Sequence, residues 1–294
     1  MATAPKLLLA ALALCTTLAT ACGQTAAPST ENAIDFPVAQ DVTVEGSPTF
    51  TAISDRGTVI IGVKDDQPGL GFRDATTGQY SGFDIDIATM LAAGLGFGRD
   101  AIEFKTVPSA AREDSIERGE VDMYVGGYSI TDRRKERVSL AGPYLVSGQD
   151  LLVRSDDTSI TGPDSLAGHA VCSATGSSSI QTIRERALTD EIVEFQTYTQ
   201  CVDQLLSGQV DAVTTDDAIL RGYAAQQPDA LKVVGQRFST EYYGIGLPRD
   251  DSAFRAKIND LLDAAYADGT WAKIYDATLS AGGETATPPP VQRY

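Results

Sequence analysis

Strand-like and helix-like segments alternate along this chain from about residue 57 onward. Short β-branched runs such as 58–63 and 102–107 are separated by segments whose apolar residues share one helical face, as in 83–91. The same alternation resumes after residue 153 and continues to about residue 234. Alternation at this spacing predicts parallel sheets covered by helices, so the expected fold class is α/β.

A weak internal repeat divides this alternation into two halves. The stretches RGEVD (118–122) and SGQVD (207–211) each follow an amphipathic helix and open a strand, and each places a glycine where the helix ends. Two similar α/β lobes in tandem are the simplest explanation. The apolar strand 243–247 and the helical segment 252–279 then indicate that the chain returns to the first lobe. Two crossings make a hinge and a cleft that can close.

The predicted organisation therefore has two lobes with non-periodic segments on either side. Lobe one comprises residues 57–149 and 246–281, and lobe two comprises residues 150–245. Residues 23–56 are rich in Thr, Ala, Pro and acidic residues, which predicts a flexible tether. Residues 282–294 contain three consecutive prolines, which predicts a disordered tail.

Residues 1–22 have the pattern of a lipoprotein signal peptide. Lys6 precedes the apolar run 7–14, which is too short to span a membrane. Cys22 follows small residues as in a bacterial lipobox, although Leu18 stands four positions before it rather than three. We expect Cys22 to carry palmitate and related acyl chains that hold the protein on the outer face of the cell membrane, since one chain alone binds weakly. Cleavage by an ordinary signal peptidase is the alternative.

The four cysteines fit export. Cys15 leaves with the signal and Cys22 takes the lipid, which leaves Cys172 and Cys201. In an oxidising compartment these two either pair as a disulfide or remain as two buried thiols.

Composition and motifs exclude several functions. The chain has 23 Lys and Arg against 40 Asp and Glu, a net charge of −17, and no basic stripe, so nucleic acid is not an expected partner. His169 is the single histidine of the sequence, and neither Cys-x-x-Cys nor Gly-x-Ser-x-Gly occurs. The sequence therefore predicts no metal ion, no cofactor and no catalytic residue.

One segment suits the recognition of a free amino acid. The stretch GGYSITDRRK (126–135) follows a predicted strand, and α/β sheets bind ligands at that edge. Its glycines let backbone N–H groups approach a ligand, and Thr131 or Asp132 can cap a helix carrying Arg134, whose forked donors match a carboxylate. The local pattern alone also fits an ordinary capped helix with surface arginines.

Several long motifs, in order, resemble one family. They are GVKDDQPGLGF, YSGFDIDIA, GGYSITDRRKERVSLAGPYLVSGQDLLV, AVCSATGSSS, VDAVTTDDAIL and YYGIGLPRDD, spread over roughly residues 57–280. They resemble the polar amino-acid-binding proteins of ABC importers, solute-binding protein family 3, which have the two-lobed type II periplasmic-binding-protein fold. The likeness extends to actinobacterial glutamate- and glutamine-type lipoproteins, which also carry a cysteine pair at positions like Cys172 and Cys201.

The resemblance implies a role for each matched position. Arg134 matches the arginine that holds the α-carboxylate, and Asp216 matches the acidic anchor of the α-ammonium. Phe83 matches an aromatic residue near the ligand, although a core position for it stays open. Further donors from the two lobes match Gly127, Ser129, Thr175, Gly176 and Ser177.

The same resemblance bears on the ligand side chain. Lys64 and Arg112, with Ser109 nearby, match the positions that clamp the distal carboxylate in glutamate/aspartate binders, and desolvated cations favour a neutralising carboxylate over an amide. Cys172 stands where glutamine binders have a lysine. Asp65 and Asp66 offer a way to neutralise Lys64, so glutamine or asparagine remains the alternative.

Two residues depart from the family pattern, and several partners stay open. Arg133 stands where an acid is frequent, and Tyr128 replaces a smaller residue in some relatives. We expect a monomeric, non-enzymatic receptor that delivers its ligand to the membrane permease of an ABC importer. A membrane sensor protein is the alternative partner, and an enzyme on the same fold, such as a dehydratase, is a third hypothesis.

Overall fold

The computed structural model describes residues 1–2, 34–280 and 286–294, and residues 34–294 form one compact unit. In chain order its strands are β1 (Val59–Val63), β2 (Asp66–Gln67), β3 (Gly71–Arg73), β4 (Tyr80–Ser81), β5 (Ile102–Thr106), β6 (Met123–Tyr124), β7 (Ser139–Ser147), β8 (Gln149–Arg154), β9 (Val171–Ala174), β10 (Ile192–Phe195), β11 (Ala212–Asp216), β12 (Leu231–Val233) and β13 (Glu241–Leu247).

The α-helices lie between these strands and at the two ends of the unit. In chain order they are α1 (Pro48–Arg56), α2 (Phe83–Gly94), α3 (Arg112–Glu117), α4 (Asp132–Lys135), α5 (Ser178–Glu185), α6 (Tyr198–Leu206), α7 (Asp217–Gln226), α8 (Ser252–Ala267) and α9 (Thr270–Thr278).

Two five-stranded sheets define two lobes. Sheet one has the strand order β5-β1-β6-β13-β7, and sheet two has the order β10-β9-β11-β8-β12. A small antiparallel sheet, β2-β3-β4, accompanies sheet one. The predicted two-lobed α/β fold is confirmed.

The sheets are mixed rather than parallel throughout, which corrects the sequence prediction. β13 runs antiparallel to both β6 and β7, and β8 runs antiparallel to both β11 and β12. Each of these is the strand through which the chain enters its lobe from the other one. A strand arriving from the opposite lobe has no crossover helix in front of it, so nothing forces it to be parallel.

The crossings give the lobe boundaries. The first lies at Gly148, between β7 of sheet one and β8 of sheet two, close to the expected position. The second lies between Val233 and Glu241, because all of β13 belongs to sheet one. It therefore precedes the boundary expected at residue 246, since the apolar pattern marks the strand without showing which sheet it joins.

The second half of the segment expected to be a flexible tether is folded onto lobe one instead. Helix α1 begins at a Ser47 cap, and Phe50 and Ile53 are buried in the core of lobe one. The Ser47 hydroxyl donates to the Asp251 carboxylate at 2.7 Å, which joins this segment to the start of α8. Residues 23–33 of the expected tether lie outside the described residues, as do Cys22 and most of the signal segment.

The segment expected to be a disordered tail is also bound to lobe one in its described part. Residues 286–294 run along β7, the edge strand of sheet one: the Gln292 N–H donates to Gly142 O at 2.7 Å, and the Leu140 N–H donates to the Tyr294 hydroxyl at 2.9 Å. Arg255 and Lys135 lie over the Tyr294 ring. An unpaired edge strand offers free donors and acceptors, and this segment uses some of them.

The disulfide is confirmed. Cys172 on β9 and Cys201 on α6 are bonded, with their Cα atoms 5.5 Å apart, and both are fully buried in lobe two. Among the described ranges, no helix combines the length and the apolar character needed to cross a membrane. The same part of the chain contains no group of three or more His, Cys, Asp and Glu suited to a metal ion.

Candidate functional site

A small cavity lies between the two lobes, at the carboxyl ends of their parallel strands. About 240 Å³ of space between its lining atoms is unfilled, part of it open to solvent. Most of its lining residues come from the segments after β5 and β6, from the start of α5 and from the end of β11, and single residues come from β2, α6 and α7. They are Gln67, Ser109, Arg112, Gly127, Arg134, Ser177, Ser178, Ser179, Tyr198, Thr215, Asp216 and Ile219. Carboxyl ends of parallel strands are where α/β sheets bind small molecules.

Arg134 is the buried guanidinium of the first lobe. It sits on α4, whose N-terminus is capped by Thr131, and only 7% of it is exposed. One nitrogen donates to Ser129 O at 2.6 Å, and another lies 3.5 Å from the Glu113 carboxylate. Burial, and then the neighbouring Arg112, lowers its pKa to about 10, so it stays charged at neutral pH. A planar, charged donor set of this kind suits a carboxylate.

Tyr128 holds the two cleft arginines. The guanidinium carbons of Arg112 and Arg134 each lie 4.6 Å from the centre of its fully buried ring, and its hydroxyl donates to Glu113 at 2.8 Å. Cation–π contacts and the Glu113 charge offset part of the repulsion between the two cations. The sequence singled out Tyr128 only as a departure from the family pattern, because nothing local indicates that it packs against both arginines.

Asp216 is the buried carboxylate of the second lobe. It ends β11, and its Oδ2 accepts a hydrogen bond of 2.7 Å from the hydroxyl of Tyr243 on lobe one. Its Oδ1 is buried and has no hydrogen-bond partner among the described residues. Burial, and then the charge of Glu241, raises the pKa of Asp216 to about 7. An unpartnered carboxylate oxygen facing a cavity is suited to an ammonium group.

Arg112 and Lys64 form a second cationic group. Arg112 lines the cavity, is 2% exposed, and donates to Ser109 O within its own lobe and to Gly176 O of the other lobe. Lys64 is 3% exposed and donates to the Ser109 hydroxyl at 2.8 Å, so it stands one hydrogen bond behind the wall. Burial lowers the pKa of Lys64 to about 8.

Neither cation of this group has a carboxylate within 4.0 Å among the residues that the structure describes. Asp65 accepts a hydrogen bond from Thr106 instead, and Asp66 accepts one from the backbone of Tyr198 in lobe two. Both aspartates raise the pKa of Lys64 through their charge, but neither is paired with it. Local neutralisation of Lys64, the alternative left open by the sequence, is therefore incomplete.

The second lobe contributes a helix N-terminus. Ser177 caps α5 by accepting from Ile180 N–H, and Ser178 and Ser179, the first residues of the helix, line the cavity. Free N–H groups and the helix dipole attract anions here. Gly176 packs against lobe one so closely that a Cβ would lie 2.7 Å from the Cα of Ala110.

The structure brings most, but not all, of the predicted residues to the cavity. Ser109, Arg112, Gly127, Arg134, Ser177 and Asp216 line it. Ser129 is buried and lies beside it, with its hydroxyl 3.4 Å from that of Ser178, and Gly176 lies at a wider opening that leads to it. Thr175 is not among the lining residues, and Arg133 is exposed at the same opening.

Phe83 lies in the aromatic core of lobe one and not in the cavity lining. Its ring contacts Tyr144, Trp271 and Tyr275. It is the first residue of α2, and its fully buried side chain points into this cluster. The core position that the sequence left open is the one the structure shows.

Sequence reasoning missed several lining residues. They are Gln67, Ser178, Ser179, Tyr198, Thr215 and Ile219. Ser178 and Ser179 were accessible from the sequence, because they directly follow the capping Ser177. Tyr198 and Gln67 reach the cavity only because the two lobes approach each other, and no local pattern records that approach.

These features define a class of protein. Two α/β lobes enclose a buried cavity with separate cationic and anionic groups, which is the arrangement of a receptor for a small zwitterion. The family model of the bacterial extracellular solute-binding proteins, family 3, matches residues 59–280. The chain belongs to this family, whose members act outside the cytoplasm.

Individual relatives agree with the family. The chain is 40% identical over 245 residues to the glutamate-binding protein GluB of Corynebacterium efficiens, covering 80% of this chain and 83% of that protein. It is 39% identical over 208 residues to a glutamine-binding protein of Geobacillus stearothermophilus, covering 71% and 79%. It is 36% identical over 228 residues to the ABC transporter glutamine-binding protein GlnH of Bacillus subtilis, covering 77% and 83%.

Solved structures have the same fold. An ancestral arginine-binding protein bound to arginine superposes with a TM-score of 0.72 at 34% identity, covering 76% of this chain and 99% of that chain. The ancestral amino-acid-binding protein that is a precursor of cyclohexadienyl dehydratase superposes with a TM-score of 0.72 at 29% identity, covering 79% and 100%. The fold therefore serves amino-acid receptors.

Proposed function

We propose that this protein captures an acidic amino acid, glutamate or aspartate, and delivers it to an ABC importer. The observation that carries the proposal is the buried pair of cations, Arg112 and Lys64, without a carboxylate within 4.0 Å in the described part of the chain. A buried cation without a neighbouring carboxylate is costly, and the distal carboxylate of a ligand would offset that cost. Relatives named for glutamate support the same ligand class.

The remaining groups suit the common part of an amino acid. The α-carboxylate would bind Arg134 and the N–H groups at the start of α5. The α-ammonium would bind Asp216 Oδ1, the unpartnered buried oxygen. The distal carboxylate would then face Arg112 and the Ser109 hydroxyl, with Lys64 behind it.

Glutamine is the second candidate, and a different atom favours it. Gln67 Oε1 is buried in the cavity wall and has no hydrogen-bond partner among the described residues. It would accept a hydrogen bond from a ligand amide, whereas a carboxylate has no proton to donate to it. Relatives named for glutamine support this second candidate.

The setting of this binding function is also proposed. Acyl chains on Cys22 would keep the monomeric receptor at the outer face of the membrane, next to a permease, and a membrane sensor protein is the alternative partner. The ligand would be released unchanged, since Glu113 is engaged by Tyr128 and Arg134 and leaves Asp216 without a second free acid or base. Incubation with ligand and analysis for products tests this last point.

Calorimetric titration with glutamate, aspartate, glutamine and asparagine tests the function. The protein is made from Gly23 onward, which retains the compact unit 34–294. We expect the acids to bind more tightly than their amides. Arg112→Gln should weaken glutamate binding about 10- to 100-fold, because a hydrogen bond to a charged group is lost, and glutamine binding less than about threefold.

Arg118→Gln is the matched control. Arg118 follows α3 in the same lobe, its side chain is 68% exposed, and its removal should leave all four affinities unchanged. Tighter binding of the amides by the wild-type protein would contradict the acidic ligand and favour glutamine. A folded protein that binds none of the four would contradict the capture of polar amino acids altogether.

A further inference from the structure

A further group of contacts joins the lobes at the edge of the ligand cavity. The Asp66 carboxylate of lobe one accepts a hydrogen bond of 2.8 Å from the backbone N–H of Tyr198, the first residue of α6 in lobe two. The hydroxyl of Tyr223, on α7, donates to the backbone oxygen of Asp66. Asp66 is not among the residues that line the ligand cavity.

The Asp66 contact satisfies a specific need of α6. The first N–H groups of a helix have no partner inside the helix, and a carboxylate is favoured there by the helix dipole. Thr197 caps α6 by accepting from the Gln200 N–H, so the N–H of Tyr198 remains for Asp66. Tyr198 also lines the ligand cavity, so the contact borders the ligand site, although the Asp66 carboxylate is not in its lining.

The close approach of the lobes requires a glycine at position 222. It lies inside α7, where glycine is less favourable than alanine, and its φ is not positive. A Cβ at this position would lie 2.0 Å from the backbone oxygen of Pro68 in lobe one. Only the contact between the lobes therefore accounts for the glycine.

We propose that Asp66 and Pro68 form a closure latch: they contact the start of α6 and the Gly222 face of α7, and they stabilise the closed form whichever amino acid is held. This proposal rests on the proposed binding function, because closure serves to hold a ligand. The latch itself acts through contacts between the lobes. It differs from Arg112, which we expect to discriminate between ligands. Loss of the latch should weaken glutamate and glutamine by the same factor.

Asp65 provides a matched control. It carries the same charge one position earlier, and it also acts on Lys64. Its carboxylate, however, accepts from Thr106 within lobe one. Asp65→Ala and Asp66→Ala therefore each remove one negative charge, and only Asp66→Ala removes a hydrogen bond to lobe two.

Cross-linking measures closure without a ligand. Ser129→Cys and Ser178→Cys place two thiols where hydroxyls of opposite lobes lie 3.4 Å apart. In the protein made from Gly23, which omits Cys15 and Cys22, the rate of disulfide formation reports the closed fraction. We expect Asp66→Ala to slow it about tenfold, as for a lost hydrogen bond to a charged group, and Asp65→Ala by less than about twofold. Gly222→Ala should slow it at least as much as Asp66→Ala.

Stopped-flow release of glutamate and of glutamine completes the test. Asp66→Ala and Gly222→Ala, without the added cysteines, should raise both off-rates by about the same factor, with an unfolding transition no lower than that of wild type for Gly222→Ala. Equal cross-linking in Asp66→Ala and Asp65→Ala, or wild-type cross-linking in Gly222→Ala, would overturn the latch. If wild type binds no amino acid, the proposed function fails, and cross-linking still decides on the latch.

Discussion

At the scale of single residues, the cleft is a set of charges whose burial controls their protonation. Burial raises the pKa of Asp216 to about 7 and lowers that of Lys64 to about 8. Both shifts disfavour the charged forms. A bound acidic amino acid needs both charges, because its ammonium faces Asp216 and its distal carboxylate faces the cations.

The affinity for glutamate should therefore be highest between about pH 7 and pH 8. Below this range Asp216 is protonated in the free protein, and binding must expel the proton, so affinity falls as the pH falls, by up to about tenfold per unit. Above it Lys64 is neutral in the free protein and must take up a proton, so affinity falls as the pH rises. Titrations in buffers of different ionisation enthalpy measure both proton fluxes.

Glutamine is the internal control for this profile. It has the same α-ammonium but no distal carboxylate. Its affinity should therefore fall below pH 7 as that of glutamate does, and fall less than that of glutamate above pH 8. Identical alkaline limbs for the two ligands would show that Lys64 does not act on the ligand side chain.

At the scale of elements, the internal repeat has a structural reason. Gly119 and Gly208 both end their helices with positive φ, 65° and 73°. The aspartates of the two repeats make equivalent hydrogen bonds. Asp122 accepts from the N–H of Ile60 at 2.7 Å, and Asp211 accepts from the N–H of Ala170 at 2.9 Å. Each carboxylate thus joins the entry of one strand to the start of its neighbour. The glycine requirement is local, whereas the aspartates reach strands 62 and 41 residues away; the repeat is visible because both lobes place the same two residues at the same turn.

The disulfide fastens α6 to β9 across a sequence separation of 29 residues. Replacing both cysteines, Cys172→Ala with Cys201→Ala, should lower the free energy of unfolding by about 3 kcal/mol, because the unfolded chain regains the freedom of that loop. Denaturant unfolding checks it. Reducing agent should destabilise the wild-type protein by a similar amount and leave the variant unchanged, whereas equal stability of the two proteins without reductant would contradict the prediction.

At the scale of the whole molecule, both described ends of the unit fold onto lobe one. The N-terminal segment joins it through Ser47 and Asp251, and the C-terminal segment through Gln292 and Tyr294. Lobe two receives neither end. The lobe that carries Arg112 and Arg134 therefore also holds both described ends of the unit.

Removal of residues 286–294 should destabilise lobe one. Two hydrogen bonds to β7 are lost, which predicts a decrease of about 1–2 kcal/mol in the free energy of unfolding. Thermal unfolding of the truncated protein measures it. Arg293→Gln is the control, since Arg293 is exposed and its ion pairs with Asp260 and Asp263 should contribute little. An unchanged unfolding transition after truncation would contradict a structural role for the segment.

The sequence by itself determined the class of fold and predicted half of the residues that line the cavity. The period of apolar residues revealed strands and helices, because a side chain's face depends only on nearby residues. The glycines and capping residues around 126–135 and 175–177 predicted ligand-binding loops, since caps and left-handed turns are also local. The family motifs then assigned Arg134, Arg112 and Asp216 to positions that the structure brings to one cavity.

Only the tertiary structure decided which distant residues meet. Phe83 belongs to the core and Lys64 stands behind Ser109, because the direction of a side chain depends on what packs against it. Tyr128 touches both cleft arginines through packing inside lobe one, and Asp66 meets α6 across 132 residues of sequence. These contacts leave no period or spacing in the sequence, because they depend on how whole elements and the two lobes pack against each other.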